Sequence, residues 1–240
     1  MRAAEAGDSS GPPRPPSVAA DAGLPEPGWL EVETALQHER AGGERRDSWP
    51  VKLKLAFSPD LGVELGFDGA VRLRDDAGAS MRGLGDTSFV VKSRFAVDEA
   101  QAFGLEAGVN LPTARRGLGS GSGKADFLVK GIYSVEWNDW NVDLNVAGSH
   151  LGAVPAGSGR SELAWAAALW RGWGDRWGVV GELSGTRQRG LRGEQQFLLA
   201  VSRSVGPGLS LDAGAARSLR SGPPEWSAFL GFTWLATRVF

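Results

Sequence analysis

Ionisable residues in this 240-residue chain fall at alternate positions inside apolar stretches. Lys52 and Lys54 lie between Val51, Leu53 and Leu55, and Lys92 and Arg94 lie between Val91 and Phe95. Glu64, Glu106, Asp126, Lys130, Asp143, Glu162, Glu182 and Asp212 continue the pattern. A period of two puts these groups on one face of extended chain. Their spacing suits no catalytic or metal chemistry. The only histidines are His38 and His150, and no HExxH motif or His/carboxylate cluster occurs. Cysteine is absent, which removes thiol catalysis, disulfides and thiolate metal sites. Ser149 and His150 are adjacent, so on a strand they face opposite sides. The run from Gly117 to Lys124 lacks phosphate-loop spacing and no helical pattern follows it. The remaining chemistry is electrostatic lining, with no cofactor and no metal. Cations cluster early (Lys52, Lys54, Lys92, Arg94) and acids dominate later, with Lys130 the main exception. Walls of opposite sign would set a field across a lumen that orients dipolar solutes and filters ions. The alternative is a set of structural ion pairs that fill a narrow barrel.

The elements that must hold these residues are strands. From Trp29 to Trp234, apolar and polar residues alternate in segments of about ten, the length of a tilted membrane-spanning strand. The intervening gaps alternate in length. Short ones fall at 58–60, 97–101, 136–139, 172–176 and 204–208, and long polar ones at 72–83, 112–124, 152–160 and 218–224. That sorting matches an up-and-down membrane barrel, with turns at one end and loops at the other. The fold class expected is all-β: an antiparallel up-and-down transmembrane β-barrel of about 12 strands over residues 29–240, preceded by a disordered Pro-rich leader, 1–28. The first strand is expected over 29–37. An even strand number places both chain ends on the short-turn side.

Alternation alone does not say which face is wet. A soluble barrel would turn its apolar face inward and carry a hydrophobic ligand there. The polar face here carries small residues (Gly104, Gly108, Ala164, Ala166, Gly214), which suits a packed or watery lumen. Phe57, Phe95, Phe103, Trp137, Trp140, Trp173, Trp177 and Trp234 gather near turns and strand ends, as an interfacial girdle would. The chain ends in Phe240, with Arg238 placed at or beyond the membrane edge. Charged residues make up 22% and apolar residues 42%, so a helical membrane protein is excluded. Net charge is −2 and no basic cluster suggests nucleic-acid binding. Residues 1–28 lack the apolar core of a secretory signal, which reads as a mis-set or trimmed start.

Further along, Gly83-Leu84-Gly85-Asp86-Thr87-Ser88 leads into Val91-Lys92-Ser93-Arg94-Phe95. Val109-Asn110-Leu111-Pro112-Thr113 precedes the Gly-Ser loop 117–123, and Val180-Gly181-Glu182-Leu183 follows later. Leu209-Ser210-Leu211-Asp212-Ala213-Gly214 is followed by Pro224-Glu225-Trp226 and Leu230-Gly231-Phe232-Thr233-Trp234. In these stretches the chain resembles the outer-membrane transporters of the phenol degradation meta-pathway family, over most of residues 28–234. It departs in having Ala114 where the family has Gly, and in running on to Phe240. The resemblance implies a Gram-negative outer-membrane barrel that takes up small, often aromatic, compounds. The expected partners are outer-membrane lipid, a small-molecule solute and the barrel-assembly machinery. The loops 72–83 and 112–124 are candidates for gating. A non-conducting envelope barrel and a soluble ligand-binding barrel stay open as alternatives.

Overall fold

The computed structural model describes Arg14 and residues 17–114, 123–220 and 224–240. Among them are thirteen strands and no helix. The first six strands are β1 (Trp29–Ala41), β2 (Glu44–Ser58), β3 (Leu61–Arg74), β4 (Ser80–Gly83), β5 (Thr87–Ala96) and β6 (Gln101–Leu111). Then come β7 (Asp126–Trp137), β8 (Trp140–His150), β9 (Ser161–Trp173) and β10 (Trp177–Gln188). The last three are β11 (Glu194–Gly206), β12 (Leu209–Ser218) and β13 (Trp226–Arg238). Neighbouring strands pair antiparallel, β13 returns to β1, and β2 pairs with β3. The sheet is therefore closed. The short β4 pairs only with β3, beyond the barrel wall, so twelve of the thirteen strands form the barrel.

The alternation resolves with its apolar face outward. Leu36, Leu65, Phe89, Leu105, Val129, Leu144, Val146, Leu199 and Leu230 are all exposed. Lys92, Glu106, Asp143, Glu182 and Asp212 are buried inside. A water-soluble barrel would reverse this, since burying charge while exposing Leu and Phe incurs both penalties at once. In hydrocarbon the same arrangement satisfies every strand, because a closed sheet leaves no unpaired backbone edge. The soluble alternative is thereby removed.

The expected sorting of connections is present. At one end the turns span 59–60, 97–100, 138–139, 174–176 and 207–208. The 138–139 turn has Asn138 and Asp139 both in the left-handed region (φ 48° and 64°), which matches the twist of a tight hairpin. At the other end the connections span 75–86, 112–125, 151–160, 189–193 and 219–225, with the two-residue turn at 42–43 as the exception. Residues 115–122, which hold all of the Gly-Ser loop 117–123 but its last residue and lie within the expected gating loop 112–124, are outside the described residues.

One boundary differs. The first strand does not stop near 37 but runs to Ala41, and a two-residue turn at Gly42 and Gly43 leads directly into β2. Over 38–47 both faces of the hairpin are polar: His38 and Asp47 point outward, while Glu39 and Arg46 point inward. The alternation that reveals a strand vanishes where neither face meets hydrocarbon. β2, with 15 residues, is longer than a hydrocarbon core requires, so this end projects beyond it.

Candidate functional site: a charged lumen

Residues inside the barrel fall into two walls. The wall made by β1–β7 alternates charge across its strands. Glu31 faces Lys54 and Glu33 faces Lys52 across β1–β2, and Lys54 faces Glu64 across β2–β3. Lys54 Nζ lies 3.1 Å from Glu31 and also bonds Glu33. Lys52 lies 3.9 Å from Glu33 and 3.8 Å from Glu64. Further round, Glu106 sits between Lys92 at 3.7 Å and Lys130 at 2.8 Å. Each cross-strand pair brings opposite charges together at the spacing where they attract. Early cations do not form a positive wall. Lys52 and Lys54 lie beside Glu31, Glu33 and Glu64, and Lys92 beside Glu106, so of the two readings of these charges the geometry favours local pairing.

The wall made by β8–β13 carries acids without strand-borne cations. Asp143 accepts a hydrogen bond from Ser134 Oγ at 2.5 Å. Asp212 accepts one from Thr233 Oγ1 at 3.2 Å, and its Oδ1 is buried without a partner. Glu182 is 1% exposed, and its Oε1 also lacks a partner.

This wall is partnered by the leader. Residues 1–13, 15 and 16 lie outside the described residues; Arg14 and 17–28 form neither helix nor strand. From Gly28 at the short-turn rim the leader enters the barrel. The Ala22 amide donates to Ser134 Oγ at 2.8 Å. Asn145 clamps Ala20 by accepting from its N–H and donating to its C=O, both at 2.8 Å. The Ala19 N–H donates to Glu182 Oε2 at 2.7 Å. Lys92 Nζ donates to the Asp21 carbonyl at 2.8 Å. Burial opposes the charge of the Asp21 carboxyl, but Lys92, Arg14 and Lys54 outweigh it and hold the group below the usual carboxylate range. Arg14 donates to Asn141 at 2.8 Å and to Asp143 at 3.4 Å, and its guanidinium lies 5.0 Å from the ring centre of Trp170. Small wall residues make room: a Cβ on Gly104 would come within 3.3 Å of Ala22 Cα. A cavity of about 180 Å³ remains, lined by Arg14, Ala20, Lys54, Glu106, Asp143 and Trp170 among others.

The other expected lining residues lie near the rims. Arg94 reaches Asp60 at 3.9 Å by the short turns. Asp126 accepts from the Gly152 N–H at 2.8 Å by the long loops, where Glu162 is half-buried. Glu31, Glu33, Ser134, Asn141, Asn145 and Trp170 also line the lumen. The first two could have been found from their alternation in β1. Nothing in the sequence marks Arg14, because its partners are 127 and 129 positions away. Among the described residues no His/Asp/Glu group is arranged to hold a metal.

Outside, the aromatic residues ring the short-turn end. Phe57, Phe95, Phe103, Trp137, Trp173, Trp177 and Trp234 are exposed, and Trp140 is half-buried. Arg171 lies 5.1 Å from the Trp140 ring centre and Arg203 the same distance from Trp177. Phe57 stacks on Phe240 at 6.3 Å.

Known proteins can be set against this geometry. The barrel is similar to an outer-membrane channel from Pseudomonas putida F1 (TM-score 0.69, 15% identity), covering 91% of this chain and 99% of that one. The NanC porin superposes with TM-score 0.61 at 6% identity, over 87% of this chain and 100% of the porin. The CymD monoaromatic hydrocarbon channel gives 0.53 at 8% identity, over 90% of each chain. No curated protein matches the sequence significantly. Residues 49–236 match the model of the family described as "Putative MetA-pathway of phenol degradation". That match spans most of the chain, with β3 to β12 and most of β2 and β13, and the chain belongs to this family.

Proposed function

We propose that this protein is a passive outer-membrane channel for small organic molecules, aromatic compounds among them. One observation carries the reading: a closed barrel with a lipid-compatible exterior encloses a lumen lined by polar and ionised side chains. Charge in that position is costly to keep and serves to hold water and polar solutes along a path. Local pairing along β1–β7 removes net charge from one wall, which suits neutral or weakly dipolar solutes over strongly charged ones. Asp143 and Glu182 of the other wall are contacted by the leader, which narrows the passage. The structural likeness to proteins titled as channels and porins supports the reading, and a monoaromatic hydrocarbon channel among them supports the solute class. Insertion by the barrel-assembly machinery belongs to the same proposal. No energy-coupling motif appears in the sequence, so flow would follow the solute gradient.

The test is swelling of liposomes containing the protein, using neutral phenolic glycosides that do not cross the bilayer unaided, with aromatic carboxylates as the charged comparison. Swelling that scales with protein content supports the channel. No swelling, with the leader either present or deleted, would leave a non-conducting envelope barrel.

A further inference from the structure

The strands that pair opposite charges inside the barrel pair like charges outside it. Arg40 of β1 faces Arg45 of β2, and Arg45 faces Arg74 of β3. Arg72 of β3 faces Arg82 of β4. On the other side of Arg40 stands Trp226 of β13, which in turn faces Arg217 of β12. All six arginines point outward, at the end of the barrel that carries the long loops. They come from four separate stretches of sequence, so no basic cluster is visible until the sheet closes.

Like charges directly opposite on a sheet destabilise it. Three such contacts in one patch therefore need a counter-charge. The chain supplies little. None of the six arginines has a carboxylate within 4 Å among the described residues. Asp47 faces Arg72 across β2–β3, but its carboxylate is held by His38 at 2.6 Å. Arg40 reaches only the Gly42 carbonyl, at 3.4 Å, and Arg72 only the Ser80 hydroxyl, at 3.3 Å. The Nε of Arg74 is buried with no partner at all. The inner face of the same hairpin shows that this is not a tolerance for mismatched pairs: there Glu39 faces Arg46, and Arg46 also bonds Asp68.

The patch lies where lipid headgroups would be. Below it the outward residues Thr34, Leu36, Val51 and Phe67 belong to the apolar band. Above Leu36 the outward series changes to His38 and Arg40, within the part of the hairpin that projects past the hydrocarbon. We propose that the outer wall of β1–β3 is a binding site for a phosphorylated glycolipid of the leaflet at the long-loop end. Arg40, Arg45 and Arg74 would grip its phosphate groups, and its acyl chains would lie along the apolar band. Guanidinium forks match phosphate oxygens in geometry as well as charge. The opposite rim differs. There Arg171 and Arg203 are spent on Trp140 and Trp177, and Asp139 lies 3.7 Å from Arg171. The proposal rests on the outer-membrane placement of the barrel, with the long loops facing outward.

The experiment uses the purified full chain in detergent, checked for folding by heat-modifiable gel mobility. Bis-phosphorylated lipid A and its enzymatically dephosphorylated form are titrated against it, with bound lipid counted by native mass spectrometry. Binding of the phosphorylated form alone is expected. The variant Arg40→Gln/Arg45→Gln/Arg74→Gln should fold, bind about tenfold or more weakly, and no longer gain thermal stability from the lipid. Without lipid it should be at least as heat-stable as the parent, because the repulsion is gone. Arg171→Gln/Arg203→Gln should bind as the parent does. Equal binding of the two lipids, or unchanged binding by the triple variant, would overturn the site. Displacement of the lipid by millimolar inorganic phosphate would reassign it to a free anion. If the triple variant does not fold, the comparison of the two lipids on the parent protein still decides. A barrel that folds and swells liposomes but binds no lipid sinks only this proposal, whereas failure to enter detergent micelles as a barrel sinks the placement beneath it.

Discussion

The two walls of the lumen solve one problem differently. Both bury ionisable groups. The β1–β7 wall does so with partners supplied by adjacent strands: Lys54 with Glu31 and Glu33, and Glu106 with Lys92 and Lys130. The β8–β13 wall supplies only acids, and the leader brings amide donors and Arg14 to Asp143 and Glu182. The first wall takes most of its pairing from the closed sheet, although Lys92 also donates to the leader's Asp21 carbonyl. The second is complete only when a segment outside the sheet folds back into it. Self-contained pairing makes a rigid lining, whereas borrowed pairing makes one that a shift of the leader would change.

Both walls presuppose lipid behind them, and the most severe test is there. Leu144 is exposed on the outer face of β8, and an arginine at mid-membrane costs about 2–4 kcal/mol. Leu144→Arg should abolish the heat-modifiable, membrane-integrated form. Normal assembly of that variant would undo the comparison along with the orientation.

Deleting residues 14–27 comes next and should affect the walls unequally. Asp143, Asn145 and Glu182 lose their leader contacts, while Lys54 and Glu106 keep their strand-borne partners. Single-channel conductance should rise several-fold with a shift toward cations. Unchanged conductance and selectivity would mean that the leader is not the partner of the acidic wall.

Glu106→Gln tests the self-contained wall. It leaves Lys92, 4% exposed, facing a neutral group and weakens the hold on Lys130. Removing one member of a buried charge set costs about 3–5 kcal/mol, so the temperature at which the folded band is lost should fall clearly. Selectivity should move toward anions. The smallest effect is expected from Asp212→Asn. Asp212 is 1% exposed and accepts a hydrogen bond from Thr233 Oγ1, and no described leader residue donates to it. A neutral amide there should change stability by under about 1 kcal/mol or raise it slightly. A loss as large as that of Glu106→Gln would show that the second wall depends on its acids as much as the first.

Much of this was legible before the structure. The period-two alternation and most of the turn–loop sorting follow from local sequence, because hydrocarbon imposes the same rule on every spanning strand. Legibility ended where that rule ends. The hairpin over 38–47 was missed because both of its faces are wet. Two readings of the lumen charges, a field across it or local ion pairs, stayed open because counting cations by strand does not fix register, and register sets Glu33 against Lys52 and Glu106 against Lys130.

By itself the sequence determined that the chain must close into a barrel with one apolar and one charged face, since no other fold satisfies alternation of this length in lipid. Tertiary structure alone decided three things: which charges meet, that Arg14 reaches Asn141 and Asp143 within the barrel, and that scattered arginines align as one outward patch. The physical reason is the same in each case. These contacts join residues far apart in the chain, and their distances exist only once the sheet has closed and fixed its register.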